Sequence, residues 1–396
     1  MKVRTITPAD IADADVERWR DLAARAASPN PMSEPECVLP AAFHLQNGPR
    51  ISLLVAEDDT GQFSACFPLQ PVRRWRSIPR AAWSTRIRRM TWDATPLIDK
   101  DRGTEAMLAI LTDLQARAAG GDPKLLVLEW LNESGPVGDL VREAAGELDL
   151  PWVTHSSWEQ PFLSREVLTE SEPMHSKKTL ANRARKLRGL SREMGGGETR
   201  VVDRGSDPAG AADYIAVEAS GYKVAGGVAM TTRPGESEWF LDMAGRFAAE
   251  GRFHVLALEV GDSTVAMECL IRSGSSISMV KWSYDERYTK YSPGAALHYA
   301  THTWFQDETD AATLDVCTFE NNQFALGEYP ERRRVATMVL GLRGPRDKRW
   351  LEFLKADRYV RGGIFKVGER IGLNNATLLE LSEGGGYGPL DWHRSK

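Results

Sequence analysis

Hydrophobic positions in the first 160 residues follow two periods, one helical and one strand-like. Apolar residues recur every three to four positions in some stretches and alternate with polar ones, or run together, in others. The predicted order is a helix over 13–27, two strands within 48–72, a helix over 103–121, a strand over 124–131, a helix over 135–148 and a strand over 151–158. This alternation predicts an α/β unit.

The segment 175–197 is predicted to form one amphipathic helix. Its apolar residues fall three or four positions apart, and the triple glycine 195–197 ends it. These apolar residues are Leu180, Ala184, Leu187, Leu190 and Met194. We expect this helix to bridge two halves of the chain.

The pattern after the amphipathic helix predicts a second unit built around a three-stranded antiparallel meander. Residues 253–288 contain three strand-like runs separated by turn residues at 261–262 and 273–276. The elements around them are predicted to be helices at 212–223 and 237–251, a helix from Pro293, a strand at 312–319, a short helix at 321–329, a strand at 333–342 and a helical tail at 348–371.

The length of 396 residues is large enough for two hydrophobic cores. We therefore predict an N-terminal domain at 1–170, a bridging helix at 171–200, a C-terminal domain at 201–345 and a tail at 346–396.

Composition is that of an ordinary globular protein, with 42% apolar and 27% charged residues. No stretch approaches the roughly 20 apolar residues that a membrane helix needs, and the first residues contain no apolar core of a secretion signal. We expect a cytoplasmic protein without a membrane partner. The cysteines lack CxxC spacing, which argues against a zinc site and a disulfide framework; they are Cys37, Cys66, Cys269 and Cys317.

The net charge of -5 hides two strongly basic segments. Residues 72–89 and 176–192 each contain seven basic side chains and no acidic one. Two basic patches on an acidic body indicate an anionic ligand such as a nucleotide, a phosphate-bearing cofactor or a nucleic acid. A solvated helix face and a charged loop are the alternative interpretation.

A candidate anion site lies at Ser292, Pro293 and Gly294. Serine is a favoured N-cap residue, proline suits the first helical position, and the small residues that follow leave backbone N–H groups accessible. A helix start of this kind attracts phosphate or carboxylate groups. The alternative is a helix that is capped and binds nothing.

Four segments give the chain a resemblance to a known family: the basic helix 176–190, the strands 256–271, the motif 281–297 (KWSYDERYTKYSPGAAL) and the segment 314–334. The chain resembles the Gcn5-related N-acetyltransferase (GNAT) superfamily, in particular two-domain bacterial proteins described as BioF2-like or cellulose-biosynthesis-type acetyltransferases. The resemblance implies an α/β (α+β) fold of tandem domains, each a mixed, mostly antiparallel sheet flanked by helices. The first domain would be a degenerate copy and the second the catalytic one.

The resemblance also implies an N-acyltransferase that uses acetyl-CoA or another acyl-CoA. The residues that would hold the cofactor, in the phosphate loop and along the splayed strand, are Lys281, Trp282, Ser283, Tyr291, Ser292, Pro293, Gly294 and Ala295. The implied substrate contacts are Tyr284, Asp315, Cys317 and Asn321. The phosphate loop has an SPG form in place of the family's usual R/Q-x-x-G-x-G/A pattern.

Transfer of an acyl group to an amine needs a base for the amine and an acid for the departing thiolate. Asp285 is our first choice as base or amine anchor, because it lies at the strand end beside the anion site. Glu268 on the neighbouring strand is a second candidate base. Tyr288 or Tyr291 could return the proton to the thiolate.

Three further residues carry charge or ligand chemistry. Lys281 lies in an otherwise apolar strand, so it should pair with Asp315 or bind an anionic group of the substrate. His298 and His302 are four residues apart, as metal ligands on a helix can be, but the glutamate of the HExxH pattern is missing. We expect two core or surface histidines and no metal.

Two other functions remain open. A Fem-like transferase would use aminoacyl-tRNA as the donor, and the basic helix 176–192 would then contact RNA phosphates. The helical arm usual in Fem proteins has no counterpart in the sequence. The third possibility is a non-catalytic nucleic-acid-binding protein of the same fold. The amine acceptor, whether small molecule or polymer, is not specified by any motif.

Overall fold

The computed structural model describes residues 1–75, 79–87, 92–169, 175–225, 227, 229–318 and 323–355. Chain contacts divide the protein into two units. The first unit comprises residues 1–38, 47–159 and the chain from 334 onwards, and the second comprises 39–46 and 160–333. The predicted boundaries differ from this division, because the amphipathic helix lies inside the second unit and the strand after residue 333 belongs to the first.

The elements of the first half of the chain follow the predicted order. They are β1 (Lys2–Ile6), α1 (Asp13–Ala24), α2 (Pro35–His44), β2 (Ser52–Glu57), β3 (Phe63–Val72), β4 (Ala82–Ser84), β5 (Leu97–Ile98), α3 (Gly103–Gly120), β6 (Leu125–Asn132), α4 (Pro136–Glu147), β7 (Trp152–Ser164) and α5 (Arg165–Thr169).

The second half contains the predicted meander and its helices. Its elements are α6 (Lys177–Glu193), β8 (Thr199–Asp203), α7 (Gly210–Ala219), α8 (Tyr222–Ala225), α9 (Glu236–Ala249), β9 (Phe253–Val260), β10 (Ser263–Ser273), β11 (Ser276–Tyr284), α10 (Pro293–Asp307), β12 (Thr313–Asp315), α11 (Gln323–Glu328) and β13 (Glu331–Gly341). Residues 348–355 are helical, as predicted, and the rest of the predicted tail lies outside the described residues.

The first unit has a mixed sheet in the order β1-β2-β3-β4-β6-β13, with β5 beside β3. Only the β4–β6 pair of these is parallel. Side chains of α3 and α4, such as Leu111 and Val141, pack with the strand residues Phe67 and Leu128 in one buried cluster. Burial of this apolar surface holds the unit together.

The second unit has a mixed sheet in which residues 162–164 of β7 are followed by β12, β11, β10, β9 and β8. The pair β11–β12 is parallel, and the other pairs are antiparallel. Successive side chains along each strand point to opposite faces of the sheet, and helices pack on both faces. On β9, Leu256 and Leu258 pack in the cluster that contains the α10 residues, whereas the Phe253 ring meets Phe240 of α9. The predicted class of mixed, mostly antiparallel sheets flanked by helices is confirmed.

Strand β12 is shorter than the predicted strand 312–319. The Asp315 carboxylate accepts a hydrogen bond of 2.8 Å from the Cys317 backbone N–H, and Cys317 has a left-handed φ of 47°. Such an aspartate turn ends a strand. The prediction was wrong because it followed apolar content alone.

None of the described helices has the length and apolar content to cross a membrane. The four cysteines are all buried thiols.

Arg165 anchors the C-terminal end of α10. Its guanidinium donates to the backbone oxygens of Phe305 at 2.8 Å, Gln306 at 2.9 Å, Thr309 at 2.7 Å and Ala311 at 2.8 Å. The last carbonyls of a helix have no partner within the helix, so a fixed cation at this end both pairs them and opposes the negative pole of the helix dipole.

We expect Arg165→Ala to lower the free energy of unfolding by about 2–3 kcal/mol, because charged hydrogen bonds to helix carbonyls are lost. Urea unfolding followed by circular dichroism measures the change. Arg165→Lys is the matched control and should recover only part of the loss, since an ammonium group cannot reach several carbonyls at once. Equal stability of the alanine variant and the wild type would contradict the anchor.

Candidate functional site

A β-bulge in β11 determines the geometry of the candidate site. Cys269 of β10 is opposite Lys281, whereas the next residue, Leu270, is opposite Met279, so Val280 is one extra residue in β11. A bulge bends the strand and reverses which side chains face each side of the sheet. Ile277 and Met279 before it, and Trp282 after it, therefore all face the α10 side.

The parallel pairing of β11 with β12 stops just before this bulge. The two strands are paired at Ser276–Thr313, Ile277–Leu314 and Ser278–Asp315, and no register continues beyond them. Residues 279–284 of β11 thus extend past the end of β12. The two parallel strands are therefore unpaired beyond Ser278, and we call this unpaired region the opening between β11 and β12.

The start of α10 lies directly after the strand and turn that follow this opening. Ser292 is the N-cap position, as predicted, but its side chain caps no backbone N–H and its φ and ψ are both 54°. Its hydroxyl instead accepts a 2.7 Å hydrogen bond from the Lys186 ammonium. The N–H groups of Gly294 and Ala295 have no hydrogen-bond partner among the described residues, so the predicted anion site keeps two open donors.

A basic groove of about 540 Å³ lies between α6 and the turn that precedes α10. We call it the basic groove; it is lined by Arg185, Lys186, Gly189, Arg192, Glu193, Lys290 and Tyr291. Four of these side chains are cationic and one is acidic. The groove therefore favours a ligand with several negative charges.

Tyr291 is part of this groove. Its hydroxyl donates to Glu193 at 2.6 Å, and Lys290 pairs with the same carboxylate at 2.5 Å. The hydrogen bond to Glu193 raises the pKa of Tyr291. A β-carbon at Gly189 would come within 2.8 Å of the Tyr291 ring, so a larger residue there would displace the ring. These contacts hold Tyr291 beside α6.

Trp282 and Tyr284 form a wall under the start of α10. Their rings are nearly parallel, with centroids 6.4 Å apart, and a β-carbon at Gly294 would be 3.2 Å from the Tyr284 ring. Pro293 and Gly294 are buried against this wall.

Asp285, the first-choice base, is held by its neighbour Arg287. The carboxylate accepts 3.0 Å bonds from the Arg287 backbone N–H and Nε and a 2.6 Å bond from Nη2. These hydrogen bonds lower the pKa of Asp285, which makes the group a weaker proton acceptor. Tyr288 is half-buried beside it, with the Arg287 guanidinium 5.6 Å from its ring.

Lys281 does not pair with Asp315. Because of the bulge it faces α7, where its ammonium is 3.0 Å from Glu218. Lys223 of α8 is 3.5 Å from the same carboxylate oxygen and donates to the Trp282 carbonyl oxygen at 2.6 Å. Glu218 also accepts from the Met230 backbone N–H at 2.9 Å. Sequence analysis missed Glu218 and Lys223, because no local pattern marks them as partners of Lys281.

This trio is buried, and the pKa values of Glu218 and Lys223 are shifted. Glu218, Lys223 and Lys281 are 2%, 3% and 7% exposed. Burial lowers the pKa of Lys223 to about 8. For Glu218 burial acts in the opposite direction, but the two lysines outweigh it and lower the pKa. Ser283 lies on the same face and is also buried.

Asp315 has other partners within the second unit. It forms an ion pair with Arg333 and accepts a 2.6 Å hydrogen bond from the Gln160 amide. These contacts, together with the Cys317 N–H, hold the Asp315 side chain in place at the end of β12. Cys317, two residues later, is 6% exposed and has a strained backbone conformation. Asn321 lies outside the described residues.

Glu268 points toward α10 and is 1% exposed. Its carboxylate accepts from the Thr301 hydroxyl at 2.6 Å and lies 2.6 Å from Nδ1 of His298. The His298 ring in turn meets the edge of Trp282, with centroids 5.2 Å apart. A carboxylate beside one imidazole nitrogen is the arrangement that orients a histidine base.

Tyr329, which sequence reasoning did not select, follows α11 and is 1% exposed. Its hydroxyl has no hydrogen-bond partner among the described residues. Its ring is edge-on to His302 at 4.7 Å and to His298 at 6.5 Å. Burial raises the pKa of Tyr329, so it carries its proton at any ordinary pH. The described residues include no group of three or more ligand side chains placed to hold a metal ion.

We expect Lys223 to add to the free energy of unfolding a contribution that rises with pH between about 8 and 10. Its folded pKa of about 8 lies below the ordinary 10.5, so the unfolded chain binds the extra proton in that window and the folded state is relatively favoured as pH increases. Lys223→Met should remove this rise, measured by urea unfolding at several pH values. A pH profile of Lys223→Met that matches the wild type would contradict this assignment.

Glu218→Gln should lower the free energy of unfolding by roughly 3–5 kcal/mol at pH 7, because two buried cations lose their counter-charge. Urea unfolding measures this change as well.

Comparison with known proteins agrees with this geometry. Residues 176–322 match the family model of the acetyltransferase (GNAT) domain. No curated protein sequence matches the chain. The segment that matches contains the bulge, the basic groove and the start of α10.

Solved structures share the fold along most of the chain. FemX is 9% identical with a TM-score of 0.55, covering 88% of this chain and 99% of that one. A conserved protein of unknown function from Bacteroides thetaiotaomicron is 12% identical with a TM-score of 0.54, covering 84% and 98%. The C-terminal domain of a putative lysylphosphatidylglycerol synthetase from Agrobacterium fabrum is 11% identical with a TM-score of 0.50, covering 84% and 93%.

At these identities the likeness establishes the fold alone. The family match adds that residues 176–322 are similar to an acetyltransferase (GNAT) domain.

Proposed function

We propose that the second unit is an acyl-CoA-dependent N-acyltransferase that transfers an acetyl or related acyl group to a primary amine. Three observations carry the proposal: the basic groove, the N–H groups of Gly294 and Ala295 that lack a partner among the described residues, and the end of pairing between β11 and β12. We also propose that the protein belongs to the two-domain BioF2-like group.

The residues present fit an acyl-CoA. Its phosphates are polyanionic, and the basic groove offers the cations of Arg185, Lys186, Arg192 and Lys290 beside the positive end of α10. The aromatic wall of Trp282 and Tyr284 would border the path from the groove toward the bulge. When bound, the cofactor would supply an acyl group activated as a thioester.

The chain's own residues would contribute positioning and proton transfer. Strand β11 would hold the thioester carbonyl with backbone N–H groups near the bulge, as donors fixed at a developing negative charge lower the barrier. Glu268, acting through His298, is the better-placed base, because Asp285 is already bound to Arg287. Tyr329 is our candidate for returning a proton to the thiolate, because its hydroxyl has no partner among the described residues, whereas that of Tyr291 is bound to Glu193.

We expect Lys186→Ala and Gly294→Glu to weaken acetyl-CoA binding by about tenfold or more, measured by isothermal titration calorimetry. The first removes a cation of the groove, and the second puts a carboxylate where a phosphate would lie, at a helix start. Lys178→Ala is the matched control, because Lys178 is exposed on α6 but does not line the groove. Unchanged affinity in both variants would overturn the cofactor assignment.

A second prediction concerns Tyr329. Tyr329→Phe should lower kcat by about 100-fold, the usual scale of general acid catalysis, while the Kd for acetyl-CoA stays the same. Steady-state kinetics with a thiol-detecting reagent, combined with calorimetry, separates the two effects. Tyr288→Phe is the control and should retain activity. A full-activity Tyr329→Phe variant would remove this residue from the mechanism.

An aminoacyl-tRNA donor is the second candidate, and one observation favours it. The exposed cations of α6 run from Lys177 to Arg192, about 22 Å of helix, which is longer than the groove alone requires. Titration with a fluorescent RNA at two salt concentrations tests it. Salt-sensitive RNA binding without acetyl-CoA binding would support this donor, or a non-catalytic nucleic-acid-binding protein if no aminoacyl transfer is then detected.

A further inference from the structure

A line of buried polar groups extends from Tyr329 along the inner side of α10. Neither ring nitrogen of His302 has a hydrogen-bond partner among the described residues, and His302 is only 3% exposed. The Tyr329 hydroxyl next to it is equally without a partner. None of the roles assigned above uses His302.

Burying these polar atoms without any hydrogen bond would destabilise the folded state. A buried polar group without a hydrogen bond loses the favourable hydration that it has in the unfolded chain, and here two imidazole nitrogens and one hydroxyl belong to two rings whose centroids are 4.7 Å apart. Buried polar atoms of this kind are normally bridged by internal water. The polar lining thus favours a bound water between Tyr329 and His302.

The line continues outward from His302. The His175 ring is nearly parallel to that of His302, at 10° and 6.3 Å between centroids. His175 Nε2 is 3.2 Å from a Glu328 oxygen without the alignment of a hydrogen bond, and Arg183 forms an ion pair with the same carboxylate. Side-chain exposure rises to 7% at His175, 10% at Glu328 and 14% at Arg183. The polar line therefore begins in the core and ends near solvent.

We propose that His302 and His175, with bridging water, form a proton path that connects Tyr329 to Glu328 and the solvent. This inference rests on the proposed acyltransfer and deepens it by naming how the acid is recharged. His302 is a positioning residue in this scheme, because it acts through Tyr329 and touches no substrate.

The proton balance of acyltransfer gives such a path a proton to carry. Tyr329 gives its hydroxyl proton to the sulfur as the carbon–sulfur bond breaks with its electron pair on sulfur. The acceptor ammonium loses two protons in becoming an amide, of which one returns to the Tyr329 oxygen and the other leaves for solvent. Because Tyr329 is 1% exposed, a proton that reaches or leaves its oxygen has to cross the buried side chains around it.

His302 can pass a proton without becoming charged. Burial, with further repulsion from His298, His175 and Arg183, lowers the pKa of His302 to about 3. The neutral ring has one N–H donor and one acceptor nitrogen. It can therefore accept a proton at one nitrogen as it releases the other, which avoids a buried cation.

The first test is structural and independent of activity. A crystal structure of the wild type at a resolution that shows ordered water should contain a water within about 3.2 Å of a His302 ring nitrogen. In His302→Phe, whose ring fills the space without polar atoms, that water should be lost. A dry His302 site in the wild type would overturn the proposal.

The second test is kinetic. His302→Phe should lower kcat by about 10- to 100-fold, with the Kd for acetyl-CoA unchanged. Imidazole added to His302→Ala should restore activity, with a rate that depends on the pKa of substituted imidazoles. His254→Phe is the control, because His254 also contacts a ring of α10, Trp304, but pairs with Asp203 away from this line.

The outcomes separate the two proposals. Wild-type protein that binds no acetyl-CoA and releases no thiol would overturn the acyltransferase proposal and the path with it. Wild-type activity combined with an unimpaired His302→Phe variant, or with no imidazole rescue, would overturn the path alone and leave the acyltransferase proposal standing.

Discussion

The extra residue at Val280 in β11 is the constraint on which the candidate site depends. Because side chains alternate along a strand, one inserted residue sends Lys281 to the α7 face and Trp282 to the α10 face. The same local twist accompanies the end of pairing with β12 after Ser278. A continuous ladder would close the opening and bring a lysine into the apolar cluster under α10, so the bulge separates the charged chemistry of one face from the aromatic wall of the other.

Buried charged groups are compensated differently on the two faces of the sheet. On the α7 side, two ammonium groups share the Glu218 carboxylate, with help from the Trp282 carbonyl and the Met230 N–H. On the α10 side, Glu268 is paired with a hydroxyl and an imidazole, neither of which needs to carry charge. Interactions of this kind are strong only when every partner is present, which explains why so many polar side chains in the second unit are held by two or more contacts.

Sequence patterns predicted the parts that follow from local periodicity. The meander of β9, β10 and β11 and the helix from Pro293 were predicted correctly, because alternation and capping act over a few residues. The end of β12 was not, since it depends on an aspartate turn at Asp315. The predicted pairing of Lys281 with Asp315 was also wrong. An extra residue in a strand does not change the hydrophobic pattern, and the observed partner Glu218 lies 63 positions away in the sequence. Tyr329 was missed because burial and an uncommitted hydroxyl are tertiary properties.

The sharing of Glu218 by two lysines also restricts how the sequence can drift. Loss of the acid first would leave two cations in the core, whereas loss of either lysine first leaves one pair of opposite charges. An order of substitutions that keeps the fold intact therefore begins with a lysine. Related chains that have lost this cluster are expected to have passed through a form with a single lysine and the glutamate.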